Sequence, residues 1–557
     1  MPYRYVLSAT QIREFETRLV SSGLEEATLM ETVAARIALH LRRFWERRKR
    51  FKNLLVLAGP GNNGGDACAV LRNWLTEDQI GLMARGGKIR VVEWPGQASS
   101  LRRRQAKLLR DFEDVEWVAW PESSAQRNRV LGDLQGPTLV VDGLFGIGFC
   151  DRGSWSPAKI FLDELKKCLH HCDGRVAAID IPSGLDESGS VADDFKSLRA
   201  HVSFSVVGPK FSQLQNEGPE QSGQIICVDV GAPYVPEDPQ HAWRWLSPRW
   251  MNSEREWESV GAQLQRPSRA DHKGGRGRVL VVGGTLETGA ATKLVAETAL
   301  RFSAGYVTMV EPPSSKITPA QLAKISGEWL VRQSPRSTKE WAELLKTHPA
   351  WVFGCGLPAG GAENSEKWNS FWEATMESPT TKESVWVVDG GGLSSFVSEW
   401  KARHMRMPGR SLILTPHPKE AGDMLKALGL KVPELRWELF ASLKNELESL
   451  GMEGALLLKG AHPLIAPLGK SLAPQAVIEL ASARLATAGS GDVLAGALAA
   501  AALRMKADRA SDRAWSSLLC AITAQSEASR KVSLGALASE ISVAMGQSFA
   551  GFLEKRG

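Results

Sequence analysis

The sequence predicts an α/β protein with two doubly wound units in tandem. Three observations carry that expectation. Short apolar runs such as Leu54-Leu55-Val56-Leu57-Ala58 and Val279-Leu280-Val281-Val282 read as strands buried on both faces. Such runs end in glycine- or aspartate-rich turns and alternate with helical spacing of apolar residues. The alternation stops at Gly231-Ala232-Pro233-Tyr234-Val235-Pro236-Glu237-Asp238-Pro239 and then begins again. The expected organisation is a first domain over residues 1–235, a linker over 236–243 and a second domain over 244–557. A chain of 557 residues is too long for one core, which agrees.

Composition narrows the function. Hydrophobic residues make up 43% and charged residues 23%, as in ordinary globular domains. A net charge of +6 is small for this length and gives no reason to expect nucleic acid. The basic clusters at Arg42–Arg50 and Arg102–Arg104 read as solvated helix faces. Seven cysteines without a paired framework suit a reducing cytoplasm. Cys168-Leu169-His170-His171-Cys172 offers a thiol pair at i, i+4, but structural zinc closes four ligands and no second cluster is evident. It reads as an ordinary helix end. The N-terminus lacks an apolar signal core and no run of 18 apolar residues occurs, so no membrane partner is expected. Nineteen scattered tryptophans have no functional reading.

In the first half, residues 8–48 read as helical, with Ser8 or Thr10 as cap. The strand ending at Ala58 runs into Gly59-Pro60-Gly61-Asn62-Asn63-Gly64-Gly65-Asp66, with a helix expected from Ala67. That turn matches the G-x-G-x-x-G dinucleotide fingerprint, and Glu93 closes the following strand at a suitable distance, so a Rossmann dehydrogenase is one reading. Asp66 opposes it, because a pyrophosphate at that helix start would meet its charge. Strands at 138–141 and 176–179 end in Asp142-Gly143-Leu144-Phe145-Gly146-Ile147-Gly148 and Asp180-Ile181-Pro182-Ser183-Gly184-Leu185-Asp186. In an open parallel sheet these ends share one rim. Asn62, Asn63, Asp66, Asp142, Asp180 and Ser183 are therefore expected to converge there. Such a rim suits a hard cation or acid–base chemistry.

These three turns together resemble the NAD(P)H-hydrate epimerase family over about residues 1–235. That family interconverts the C6 epimers of hydrated NADH and NADPH (NADHX and NADPHX). The resemblance implies a hydrate site formed by Asn62, Asn63, Gly64, Gly65 and Asp66 with Gly146, Ile147, Gly148, Phe149, Cys150, Asp151, Arg152 and Asp180. It implies potassium held by Asn63, Asp142 and Ser183, with Asp180 as the proton-transfer group. The sequence departs from the family at Cys150-Asp151-Arg152, where a Ser-Arg-Pro-like ending is usual, and at Met30-Glu31-Thr32-Val33-Ala34.

In the second half, strands are expected at 278–282, 306–310, 351–353, 385–388, 412–414 and 455–458, with a helix at about Thr292–Ser303. No P-loop and no protein-kinase motif set occurs. The best phosphate cradle is Thr487-Ala488-Gly489-Ser490-Gly491-Asp492, opening a helix expected over Val493–Met505. Asp492 is either that helix's N-cap or a general base. His272-Lys273-Gly274, Gly354-Cys355-Gly356, Thr415-Pro416-His417-Pro418-Lys419-Glu420, Lys459-Gly460 and the Gly489–Gly496 run resemble the NAD(P)H-hydrate dehydratase family of the ribokinase-like superfamily, over about 244–557. The resemblance implies that Gly356, His417 and Asp492 meet the hydrate. It implies that Lys459, Gly460, Ala461, His462, Pro463 and Gly491 meet the nucleotide. ADP, with Mg2+, would phosphorylate the C6 hydroxyl after Asp492 deprotonates it. Asp389-Gly390-Gly391-Gly392-Leu393 lacks the second acid of the family's Asp-Ala-Asp-Ala-Leu. The fold class implied is a Rossmann-like domain followed by a ribokinase-like one, in a cytoplasmic homo-oligomer. The competing functions are a ribokinase-like small-molecule kinase fused to a Rossmann-like binding domain, and a non-catalytic binding module.

Overall fold

The computed structural model describes residues 4–47, 51–83, 87–132, 134, 136–148, 156–191, 197–239, 241–247, 260, 263–266, 268–284, 290–313, 327–358, 365–377, 384–406, 409–480 and 482–554. It divides into two compact units, which meet between Pro239 and Gln240.

The first unit opens with two helices, Ala9–Ser21 and Glu26–Arg47, where one was expected. Gly23 takes φ +96°, a left-handed conformation that ends the first helix. Ser8 caps as expected: its hydroxyl accepts from the Gln11 N–H while the Gln11 side chain accepts from the Ser8 N–H, a reciprocal capping box. The unit is built on a seven-stranded sheet, with every neighbouring pair parallel. Its spatial order is Val115–Ala119, Ile89–Glu93, Asn53–Ala58, Thr138–Gly143, Arg175–Ile179, Val202–Val206, Gln224–Val228. The chain starts at the central Asn53–Ala58 strand, moves to one edge, then returns and moves to the other. The switch between Asn53–Ala58 and Thr138–Gly143 opens a crevice at their carboxyl ends.

The Asn62–Met83 helix begins five residues earlier than expected. Its glycines read as helix breakers, yet packing demands them. A Cβ on Gly64 would lie 2.1 Å from the Gly59 carbonyl oxygen, so only glycine lets the first turn sit against the strand end. The strands Val202–Val206 and Gln224–Val228 escaped the sequence reading. Val202-Ser203-Phe204-Ser205-Val206 lacks a continuous apolar run because its serines are buried and paired. Ser203 donates to the Ser222 carbonyl (2.7 Å) and Ser205 to Gln213 Oε1 (2.8 Å).

The second unit's sheet runs, in spatial order, Arg244–Leu246, Ala476–Ile478, Leu464–Leu468, Gly454–Leu458, Ser411–Leu414, Val385–Val388, Ala350–Phe353, Arg278–Val282, Tyr306–Val310, Leu330–Arg332. Only Leu464–Leu468 runs antiparallel to its neighbours. The expected strands are present; those at 244–246, 330–332, 464–468 and 476–478 are additional, each short. Helix Ser490–Leu503 is apolar on all sides, and Val493–Ala502 is buried throughout. It packs on Ala291–Arg301 through Gly496, where a Cβ would stand 2.3 Å from the Val295 carbonyl oxygen.

Much of the tryptophan content fills this core. Trp351 and Trp386 stack at 4.4 Å across paired strands. Trp341, Trp368 and Trp372 close around Phe353 and Phe371. Among the described residues, no helix is long and apolar enough to cross a membrane.

Candidate active sites

In the first unit the strand-end loops meet as expected. Asp142 closes its strand with a fully buried carboxylate. It accepts from the Ser183 hydroxyl (2.6 Å), the Ser183 N–H (3.0 Å) and the Leu144 N–H (3.3 Å). Ser183 also accepts from the Phe145 N–H (2.9 Å), which ties the Asp142 and Asp180 loops together. Burial pushes the Asp142 carboxyl up, opposed by those hydrogen bonds. Among the described residues no cation is paired with it. Asn63 lies beside Gly146, whose Cβ would sit 3.4 Å from the Asn63 amide carbon, and Asn63 Nδ2 is buried without a partner. Turning that amide presents its oxygen instead. Asn63, Asp142 and Ser183 thus offer hard oxygen donors and an uncompensated negative charge, and they fit a monovalent cation.

Asp180 takes φ +65°, a region sparse for residues other than glycine and most tolerated by Asn and Asp. Its carboxylate receives the Val206 N–H (3.1 Å) and an ion pair from Lys210. Lys210 is buried and also donates to the Val206 carbonyl (2.8 Å) and the Ser205 hydroxyl (3.2 Å). Gln213 braces both residues, accepting from the Lys210 N–H (3.0 Å) and donating to the Asp180 carbonyl (3.2 Å). Burial lowers the Lys210 pKa, and Asp180 opposes the shift. Asp66, in the helix's second turn, is pushed well above the carboxylate range by burial, then by the charges of Asp180 and Glu16. Lys210 was not found by sequence reasoning; a lone lysine after Gly208-Pro209 carries no motif signal. Asn62 is exposed and accepts from the Ser99 hydroxyl (3.0 Å). The Arg13 guanidinium reaches the Ile147 carbonyl (3.3 Å) and holds the next loop. Phe149, Cys150, Asp151 and Arg152 lie outside the described residues.

The Rossmann reading loses its acidic residue. Glu93 is paired with Arg102 (3.0 Å) and Arg110 (2.8 Å), and Arg102 also donates to the Gly59 carbonyl (3.2 Å). A ribose hydroxyl would have to displace those pairs.

In the second unit the helix over Ser490–Leu503 starts earlier than expected. Gly489 is its N-cap, at φ +88°, and no side chain caps it. Asp492 is therefore the third helical residue, not the cap, and that structural reading falls. Gly489 is required by its left-handed φ, which other residues rarely adopt. The uncapped first turn, with its dipole, remains suited to a phosphoryl group.

Asp492 lies at a cluster that the sequence only partly disclosed. Cys355 Sγ and carboxylate oxygens of Asp389 and Asp492 are all within 4.8 Å of one another. Asp389 is ion-paired with Lys459 and accepts from the Thr415 hydroxyl (2.9 Å). Burial alone would lower the Lys459 pKa, but Asp389 more than reverses this and holds it above the ordinary value. Lys459 also reaches the helix start: a Cβ on Gly491 would be 3.2 Å from its Nζ. Burial, then the Asp389 charge, pushes Asp492 up to about 6, against the opposing effects of Cys355 and Lys459. A base with that pKa loses its active form tenfold per pH unit in acid. If Asp492 is the general base that the family resemblance implies, kcat/KM of the reaction it serves should fall with unit slope below about pH 6; a plateau extending to pH 4.5 in a steady-state profile would exclude that role.

The remaining assigned residues differ in their surroundings. His417 is exposed and caps helix Pro418–Ala427, exchanging hydrogen bonds with Glu420 (2.8 and 3.2 Å). Gly356 is exposed at the end of its strand, at φ +75°. Gly460 and Ala461 are exposed beside Lys459. His462 and Pro463 are buried; the His462 ring lies 5.3 Å from Trp245, and burial drops its pKa to about 4. The His462 imidazole is a core group.

Two family models match the chain: one described as YjeF-related protein N-terminus over residues 26–212, and one described as NAD(P)H-hydrate dehydratase over 279–545. The bifunctional NAD(P)H-hydrate repair enzyme Nnr of Moorella thermoacetica is 28% identical over 511 residues, covering 89% of this chain and 87% of the relative. The enzyme of that name from Coxiella burnetii is 26% identical, covering 87% of each. A solved ADP/ATP-dependent NAD(P)H-hydrate dehydratase from Bacillus subtilis, co-crystallised with ATP/Mg2+, is 21% identical with a TM-score of 0.41, covering 53% of this chain and 96% of that one. The fold is that of a two-domain α/β enzyme with a cluster of titratable side chains near the strand ends of each half. The chain belongs to the family of bifunctional NAD(P)H-hydrate repair enzymes.

Proposed function

We propose that this protein repairs hydrated nicotinamide nucleotides in two steps. The first domain equilibrates the R and S forms of NADHX and NADPHX. The second dehydrates the S form, converting ADP to AMP and phosphate and restoring the dihydropyridine. The observation that supports this reading is the pairing of two clusters in one chain: Asp66, Asp180 and Lys210 in the first unit, and Asp492 at an uncapped helix start beside Lys459 in the second.

Epimerisation at C6 needs the hydroxyl to leave as water and to return on the other face. Asp66, whose pKa burial raises, protonates the departing oxygen. Asp180 takes the proton of the returning water, and Lys210 keeps that carboxylate fixed. Asn62, Asn63, Gly64, Gly65 and the loop from Gly146 to Arg152 hold the ring. Asn63, Asp142 and Ser183 would hold potassium, whose fixed charge would help to lock the loops. Exchanging K+ for tetramethylammonium should lower the epimerisation rate about tenfold, with a matching loss of thermal stability. Asp142→Asn should abolish the K+-dependent rise in Tm. A Tm indifferent to K+ would remove the ion from the site.

In the second domain Asp492 deprotonates the C6 hydroxyl, which attacks the terminal phosphoryl group of ADP. The Gly489–Gly491 amides and Lys459 receive its developing charge. Phosphate then leaves C6 as a ring proton is lost. Magnesium enters with the nucleotide's phosphates as part of the substrate. Gly356 and His417 complete the hydrate side; Gly460, Ala461, His462 and Pro463 contribute to the nucleotide side through their main chain. The reading includes a cytoplasmic homo-oligomer. A single assay tests it: NADH absorbance should return when ADP is added to NADHX. A stable phosphorylated product without NADH would favour a small-molecule kinase instead.

A further inference from the structure

We propose that a cavity in the first unit is an effector site for a small aromatic carboxylate, and that its occupant acts on the Asp180–Lys210 pair through the segment beside them. The effect on that pair rests on the epimerase role given above; the binding site does not. The cavity encloses about 290 Å³, near the lower end of ligand pockets, about 300–1,000 Å³. It lies past the carboxyl ends of strands Val202–Val206 and Gln224–Val228. None of its lining residues is among those assigned to the hydrate or the cation.

The cavity's walls divide by chemistry. Leu7 and Val230 are buried and Val207 is half-buried, which makes an apolar floor. The Tyr5 and Tyr234 rings stand 5.7 Å apart at 59°, and Phe15 holds Tyr234 edge-on at 5.4 Å. Arg4 and Arg36 bring two guanidinium groups against the one carboxylate of Asp229, so the lining carries net positive charge. Arg4 reaches Asp229 only at 3.8 Å. Arg36, on helix Glu26–Arg47, is exposed, and among the described residues its guanidinium makes no ion pair or hydrogen bond. A guanidinium fork matches a carboxylate, and tyrosine rings favour a flat apolar body beside it. A ring bearing one carboxylate answers both features; acetate or inorganic phosphate answers only the charge.

Val207 links the cavity to the acid–base pair. It takes φ +66°, rare for a β-branched residue, and the Gly208 N–H closes onto the Val206 carbonyl (2.8 Å) in a tight three-residue turn. Val206 in turn donates its N–H to Asp180 (3.1 Å) and accepts at its carbonyl from Lys210 (2.8 Å). On the opposite wall Leu7 donates to the Pro209 carbonyl (2.9 Å) and accepts from the Phe211 N–H (3.3 Å), so it is tied to both sides of Lys210. A ligand that presses on Leu7 and Val207 bears on the segment that fixes Lys210 against Asp180.

The test titrates the full-length protein calorimetrically with benzoate, and with acetate and inorganic phosphate as controls. Benzoate should bind with a Kd of about 1 mM or tighter, and both controls at least about tenfold more weakly. Arg36→Ala should weaken benzoate about tenfold, with Arg36→Lys between the two. Benzoate should also shift the backbone amide NMR signals of Val206, Val207 and Gly208. That measurement needs no turnover, so it separates this proposal from the epimerase reading. In the epimerisation assay saturating benzoate should lower kcat about fivefold. Arg36→Ala should match the wild-type rate without benzoate and lose most of the inhibition at the same concentration. No benzoate binding, or binding that Arg36→Ala leaves unchanged, would overturn the site. Phosphate binding as tight as that of benzoate would overturn the ligand class. Unmoved amide signals, or an unchanged kcat in an active epimerase, would overturn the coupling. Shifted signals without any epimerisation would sustain the site and count against the epimerase reading instead.

Discussion

Asp492→Asn should lower ADP-driven dehydration by about 10²–10⁴-fold while leaving epimer exchange untouched. The substitution keeps shape and volume at the third residue of the Ser490–Leu503 helix and removes only the ability to take a proton. It should not harm the fold. Asp492 caps nothing, and burial together with the Asp389 charge already disfavours its ionised form. Tm should hold or rise slightly. The rate loss should fall on kcat and kcat/KM together, because the interaction is made only as the proton moves. Had Asp492 been only a helix cap, Asn, which caps equally well, would leave both stability and chemistry nearly unchanged. Stopped-flow appearance of NADH from purified S epimer, beside a thermal melt, distinguishes the two.

Asp180→Asn should lower epimerisation by a similar 10²–10⁴-fold, with dehydration of purified S epimer unchanged. Asparagine is the substitution of choice because Asp180 sits at φ +65°, which Asn tolerates and alanine does not. This variant carries a stability cost that Asp492→Asn lacks. Lys210 is buried, and Asp180 is its ion-pair partner. Removing the carboxylate leaves a buried ammonium without its counter-charge, so Lys210 discharges and Tm falls. Lys210→Met in the same background should recover part of that Tm without recovering epimerisation. Recovered activity would show that charge balance, not proton transfer, was the need. Exchange is read by following the two NADHX epimers chromatographically.

The strand ends were legible because parallel strands are covered on both faces. Their apolar runs stop abruptly, and the residues after them stand out: Asp142, Asp180 and Asp389 in turns, Asp492 behind a glycine. Lys210 was hidden because its meaning is tertiary. It follows a strand whose buried serines disguise it, and only the packed structure brings it to Asp180. The Asn62 helix start was misplaced because Gly64 and Gly65 read as breakers; the close approach of Gly59 that requires them is not local. His462 drew attention as a polar residue in a nucleotide loop, whereas its ring joins Trp245 in the core. Cys355 was read as part of a glycine turn, and its place beside two carboxylates depends on the end of strand Val385–Val388 and the start of helix Ser490–Leu503 arriving there.

The central claim is that two sites in one chain act in sequence on one damaged cofactor. Mixed NADHX epimers with excess ADP test it most directly. The account predicts conversion of both epimers to NADH, with one AMP and one phosphate released per NADH formed. Conversion that halts once the S share is consumed would contradict the first site, and ADP consumption without any NADH would contradict the second.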